Sequence, residues 1–77
     1  MVHAYILVST DIGTTRTVAA AIAAIAGVAQ VDIVTGPYDI VVRAEADDLD
    51  RLAHLVVSQV QAVPGIARTT TCPVVRL

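Results

Sequence analysis

An α+β fold with the element order β-α-β-β-α-β follows from three features of the 77-residue sequence. Two extended apolar stretches, residues 28–35 and 38–45, meet at Gly36-Pro37. Gly36 takes a positive φ without steric cost, and Pro37 fixes its own φ and supplies no backbone N–H, so the pair predicts a tight hairpin turn. On either side of that hairpin the apolar residues repeat with a helical period, and at both ends of the chain the pattern is extended. Strand then helix before the hairpin, and helix then strand after it, make one of the recurrent small α/β units.

The first strand covers residues 2–10. Val2, Ala4, Ile6 and Val8 alternate with His3, Tyr5, Leu7 and Ser9, so both faces are largely apolar. A strand open to water on one face alternates more sharply, so this one is expected to be covered twice. Asp11-Ile12-Gly13 is the following turn. The first helix spans 14–26, with Val18, Ile22 and Ile25 on one face and Ala20, Ala21, Ala23 and Ala24 on the other. Alanine is a strong helix former and its small side chain permits close approach. Thr14 or Thr15 is the expected N-cap, and Gly27 ends the helix.

The second strand, 28–35, turns Val31 and Ile33 away from Asp32 and Val34. The third, 38–45, sets Ile40, Val42 and Ala44 against Val41, Arg43 and Glu45. Asp47 is the expected N-cap of the second helix, with Asp48 and Asp50 in its first turn near the positive end of the dipole. Leu49, Leu52, Val56 and Val60 form its apolar stripe, widened by Leu55 and Val57, and Pro64-Gly65 stops it. The fourth strand, 66–72, carries Arg68, Thr69, Thr70 and Thr71 and is ended by Pro73. Residues 74–77 pair briefly or fray.

Short, right-handed connections assemble these elements as a ferredoxin-like, four-stranded antiparallel sheet in the order 4-1-3-2, with both helices on one face. The helix-free face then exposes apolar residues of the two central strands. The hydrophobic content of 56% exceeds the usual 45–50% or so, more than one small core needs. Together these predict a two-fold dimer stacked sheet to sheet, a dimeric α/β barrel.

The formal charge is -2, from five arginines, no lysine and seven acids spread along the chain. No basic footprint results, so direct nucleic-acid binding is not expected. The single cysteine, Cys72, excludes an internal disulfide and a Cys-only metal site and is expected to be a buried, inert thiol. That usage fits a reducing, cytoplasmic setting. No basic segment opens the chain as a signal peptide would, and the apolar runs break well short of a membrane span. His3 and His54 have no metal-binding spacing; His54 belongs to a helix surface and His3 to a sheet face. No serine or cysteine stands beside a plausible base, and the four glycines are isolated rather than gathered into a phosphate loop. The expectation is a protein that is not an enzyme and takes no metal or cofactor.

Two stretches remain as candidates. Thr35-Gly36-Pro37-Tyr38-Asp39 is either a shaped loop, in which Asp39 caps a neighbouring backbone N–H, or a small-molecule site. In the second case turn amides hold a carboxylate, Asp39 accepts from an α-ammonium group and Tyr38 walls the pocket. Arg68-Thr69-Thr70-Thr71 is either an ordinary water-facing threonine row or, with Ser9, the lining of a groove shared with a partner's hairpin.

Over nearly its whole length the sequence resembles the effector-binding (RAM) domain of the leucine-responsive/asparagine regulator (Lrp/AsnC) family of transcription factors. The matching features begin with the first strand Ala4-Tyr5-Ile6-Leu7-Val8 and the helix end Ala26-Gly27-Val28. They continue with the hairpin from Val34 to Val42, Asp48-Leu49, Val63-Pro64-Gly65-Ile66 and the last-strand threonines. The resemblance implies a dimer through the sheets, assembling into octamers or related rings, with free amino acids bound at clefts between subunits. It carries Gly36, Pro37, Tyr38 and Asp39 over as residues around the effector backbone, approached by Thr69, Thr70 and Thr71 of a neighbour. The helix-turn-helix domain usual in the family is not expected, since Met1 leads directly into the first strand. A single domain over 1–77 is therefore expected, one that senses an amino acid, co-assembles with full-length relatives or modulates an enzyme. The absence of a charge partner for an effector side chain favours a neutral, small or apolar amino acid.

Two other classes share the topology. A monooxygenase or isomerase of the dimeric α/β-barrel type needs His, Asn, Trp or acids pointing inward, whereas the inward faces here are Val, Ile and Ala. An ACT-like regulatory domain places a glycine at the first strand–helix junction, as Gly13 does, but joins sheet edges instead of faces. A heavy-metal chaperone needs two cysteines in the first loop, and residues 11–15 contain none.

Overall fold

The expected element order is present in the computed structural model, which describes residues 1–77. Strand β1 (Val2–Thr10) leads to helix α1 (Thr15–Ala23), strands β2 (Val28–Ile33) and β3 (Ile40–Ala46), helix α2 (Leu49–Leu55) and strand β4 (Ile66–Pro73). The sheet order is β2-β3-β1-β4, all antiparallel. Cross-strand register places Ala4 opposite Ala44, Ile6 opposite Val42 and Val8 opposite Ile40. All six are buried, together with Val18, Ala19 and Ile22 of α1 and Leu52, Val56 and Val60 from the second helical segment. The core therefore lies between one sheet face and the helices.

Several boundaries differ from the sequence expectation, each for a local reason. The connection between β2 and β3 is a six-residue loop, Val34 to Asp39, and not a tight turn. Pro37 has no N–H to give the ladder. The Asp39 amide instead donates to Val8 O at 2.9 Å, while Asp39 O accepts from Val34 N at 2.9 Å. Helix α1 stops at Ala23, three residues early, and unwinds through Ile25 N–H to Ile22 O, 3.0 Å. Thr14 occupies the N-cap position but its hydroxyl donates to Asp11 O (2.8 Å) and Gly65 O (3.3 Å) and caps no helix amide.

Helix α2 is capped by Asp48, not Asp47. Asp48 Oδ1 accepts from the Arg51 amide at 2.8 Å, whereas Asp47 pairs at 3.0 Å with the Arg51 guanidinium on an exposed surface. Asp48→Ala is expected to cost about 1 kcal/mol of stability, as lost N-caps do, while Asp47→Ala leaves stability unchanged. Urea denaturation of the two variants checks this, and the opposite ranking would return the cap to Asp47. Beyond Leu55 the helix widens into a π turn, Val56–Val60, closed by Gln61 N–H to Val56 O at 2.9 Å. A wider turn keeps residues four apart closer to one line, and Val56 and Val60 are both buried.

The helix-free face is more polar than expected. Leu7 and Val41 face each other at its centre, but His3 stands opposite Glu45 and Tyr5 opposite Arg43. His3 Nδ1 lies 3.2 Å from Glu45 Oε1, and Arg43 Nη2 lies 3.9 Å from the same oxygen. Cys72 is beside Tyr5 and exposed, not buried, because β4 is an edge strand with no helix over this side. Past Pro73 the chain pairs once more, through Val74 N–H to His3 O at 2.9 Å. No helix is long and apolar enough to cross a membrane.

Candidate functional site

The 34–39 loop is fixed at the end where Asp39 joins β3. One carboxylate oxygen, Asp39 Oδ2, accepts from the Thr10 amide at 2.8 Å and from the Thr10 hydroxyl at 3.2 Å. Thr10 is available because its N–H points towards β3, as Val8 O does, and the β1–β3 pairing ends at Val8 opposite Ile40. Asp39 thus does cap a neighbouring backbone N–H. The rest of the loop is open: Thr35, Gly36 and Pro37 are exposed, and Tyr38 and Asp39 are half-buried. The amides of Thr35, Gly36 and Tyr38 donate to no backbone acceptor. Gly36 has a φ of 154° with open space where a Cβ would stand.

The three threonines of β4 do not share a face, since successive strand residues point to opposite sides. Thr70, beside Leu7, faces the helix-free side with Arg68 and Ser9. Thr69 and Thr71, beside Val8 and Ile6, face the helix side. Thr69 Oγ1 accepts from Gln61 Nε2 at 2.9 Å. Val8 lies between the two candidate groups, with Asp39 bonded to it on the β3 side and Thr69 paired on the β4 side. Asp39 and Thr69 are therefore two strand spacings apart, about 10 Å, at one end of the sheet.

Three shallow clefts mark the surface, and none is lined by the loop. One of about 300 Å³ runs along the β4 edge past Gln61, Arg68 and Thr69. A second, of about 200 Å³, lies on the helix-free face among Tyr5, Gln30, Asp32, Val41 and Arg43. The third, of about 330 Å³, lies beside Gly27 and Glu45. No group of three His, Cys, Asp or Glu side chains is placed to hold a metal ion. His54 Nδ1 meets Ser58 Oγ at 3.3 Å on the exposed side of the second helix.

Sequence reasoning did not single out Thr10 or Gln61, and it took Thr15 only as a candidate helix cap. Thr10 Oγ1 contacts Thr15 Oγ1 at 2.8 Å, which ties the loop to the first turn of α1. Thr10 and Thr15 bracket the first strand–helix turn, but the end of the β1–β3 pairing at Val8 and Ile40, which leaves the Thr10 amide to Asp39, has no mark in the sequence.

Residues 3–77 match the sequence model of the Lrp/AsnC ligand binding domain. Among solved structures, FFRP-DM1 is 32% identical, with a TM-score of 0.92 over 97% of this chain and 100% of that one. A protein of Thermus thermophilus is 31% identical, with a TM-score of 0.94 over 100% of this chain and 96% of that one. A transcriptional regulator of Neisseria meningitidis, solved as a complex with L-Met, is 22% identical, with a TM-score of 0.86. This chain spans 50% of that regulator, and at such identity the likeness is one of fold. No match was found among curated protein sequences.

Proposed function

The chain belongs to the Lrp/AsnC family of ligand-binding domains, and on that premise we propose that it binds a free amino acid at the 34–39 loop and relays that signal, as an oligomer, to transcription. The observation that carries the proposal is the pairing of unused donors with a fixed carboxylate. The Thr35, Gly36 and Tyr38 amides have no backbone acceptor, and Asp39 stands at the end of the same loop. An α-carboxylate suits the first group and an α-ammonium the second, which is the chemistry of a zwitterion. Tyr38 supplies an apolar wall with a hydroxyl.

The loop lines no cleft within one chain, so the remaining walls come from another subunit. We place there the threonines of a neighbour's β4, of which Thr69 and Thr71 share one face and Thr70 the other. Two copies stack through their helix-free faces, with Leu7 and Val41 at the centre. No charged side chain is buried in the chain, so the effector's own side chain is neutral, as L-Met is in the Neisseria regulator's complex. The net charge of -2 leaves DNA contact to regulators of the family that co-assemble with it. The inward face of Val, Ile and Ala offers no general base, which favours a sensor over an enzyme.

Calorimetric titration of the twenty amino acids, with light scattering on the same samples, tests this. One or a few should bind. Asp39→Asn, which keeps an acceptor for Thr10 but loses the charge, should weaken them about 10- to 100-fold, the range of a charge-assisted hydrogen bond. Silence from all twenty on the assembled protein would move the function to protein–protein interaction alone.

A further inference from the structure

The hydrogen bonds around Asp39 have a direction. An ionised carboxylate only accepts, so the Thr10 hydroxyl donates to Asp39 Oδ2. That uses the only hydroxyl proton Thr10 has. In the 2.8 Å contact between Thr10 Oγ1 and Thr15 Oγ1, the donor must then be Thr15. The proton order runs from Thr15 to Thr10 to Asp39, and the Thr10 amide adds a second bond to the same Oδ2. The line joins three elements: Thr15 opens α1, Thr10 closes β1, and Asp39 ends the loop before β3. No protein group donates to the other oxygen, Asp39 Oδ1.

We infer that Thr15 is a positioning residue for the ligand loop, holding Asp39 through Thr10 with Oδ2 turned into the protein and Oδ1 left for the ligand's ammonium group. The last part rests on the amino-acid function proposed above; the positioning itself does not. A hydroxyl that accepts one hydrogen bond becomes a better donor of the next, so losing the Thr15 proton loosens Asp39 without touching it. Thr15 serves this line and leaves the helix amides alone. A change at the first turn of α1 is thereby felt at the loop, and occupancy of the loop at α1.

Thr15→Val keeps the branched shape and removes the donor, and Thr15→Ser restores it. Amide hydrogen exchange of the ligand-free protein reads the positioning, and calorimetric titration with L-methionine as probe reads its effect on binding. Thr15→Val should speed exchange of the bonded amides of Thr10, Val34 and Asp39 about three- to tenfold, the worth of one neutral hydrogen bond. Amides of the second helix, such as Val56 and Val60, should be unchanged. The dissociation constant for L-methionine should rise by a similar factor, and Thr15→Ser should return both readouts towards the original values. Equal loop exchange in Thr15→Val and the parent protein overturns the inference, as does L-methionine binding of equal strength to both. Faster exchange in Thr15→Val with no L-methionine binding to the parent protein would uphold the positioning role and count against the ligand assignment.

Discussion

Gly65→Ala is expected to destabilise the fold by about 2–4 kcal/mol, through two costs that add. Gly65 has a φ of +96°, which a residue with a Cβ adopts only under strain. An added Cβ would also lie 2.9 Å from Val18 Cγ2 and 3.0 Å from Thr14 Oγ1. Neither neighbour yields easily. Val18 is fully buried, and Thr14 is tied by its hydroxyl to Asp11 O and Gly65 O. The backbone has no freedom to retreat, because Gly65 O also accepts from the Asp11 amide at 2.8 Å. This is where the start of β4 closes against the first turn of α1. For a domain of this size the loss is a fall in Tm of at least about 10 °C, measurable by scanning calorimetry. An unchanged Tm would mean that the β4 start does not pack on α1 as described.

Val41→Lys is expected to separate the proposed sheet-to-sheet dimer while leaving each chain folded. Val41 lies opposite Leu7 on the helix-free face, away from the buried core. Its neighbour on β2 is Asp32, so within one chain the new cation gains a cross-strand partner. Stacked against a second copy, the same ammonium group would be desolvated near the two-fold axis and would face its own symmetry mate. Desolvating an ion costs several kcal/mol, far more than the loss of one valine contact. Light scattering should fall from two copies of the 8.0 kDa chain to one. The Tm should also cease to depend on protein concentration. A mass unaffected by Val41→Lys would exclude this face as the interface.

The candidate loop was legible in the sequence because Gly36, Pro37, Tyr38 and Asp39 are residues with special backbone or polar roles gathered at one break between apolar runs. Their use was only half legible. That Asp39 caps an amide is a matter of local chemistry, but the amide belongs to Thr10, 29 residues away. The threonine row looked like one group because its members are adjacent in sequence. The strand pleat divides it, with Thr70 on one side and Thr69 and Thr71 on the other.

By itself the sequence determined the order of the elements, the inward faces of β1 and β3, and the stripe Leu52, Val56, Val60. These depend on periods of two and of about four residues, which a chain displays without any partner. Its run of motifs from Ala4 to Thr71 also pointed to the Lrp/AsnC family. Tertiary structure decided what depends on residues far apart in the chain. It set Arg43, Glu45 and His3 together on the helix-free face, while the Asp48 cap and the π turn over Val56–Val60 were settled by bonds spanning only three and five residues. It also drew Thr15, Thr10 and Asp39 into one line. Neighbouring hydroxyls have nearly the same local propensity, so the choice among them falls to where the pairing of two strands ends.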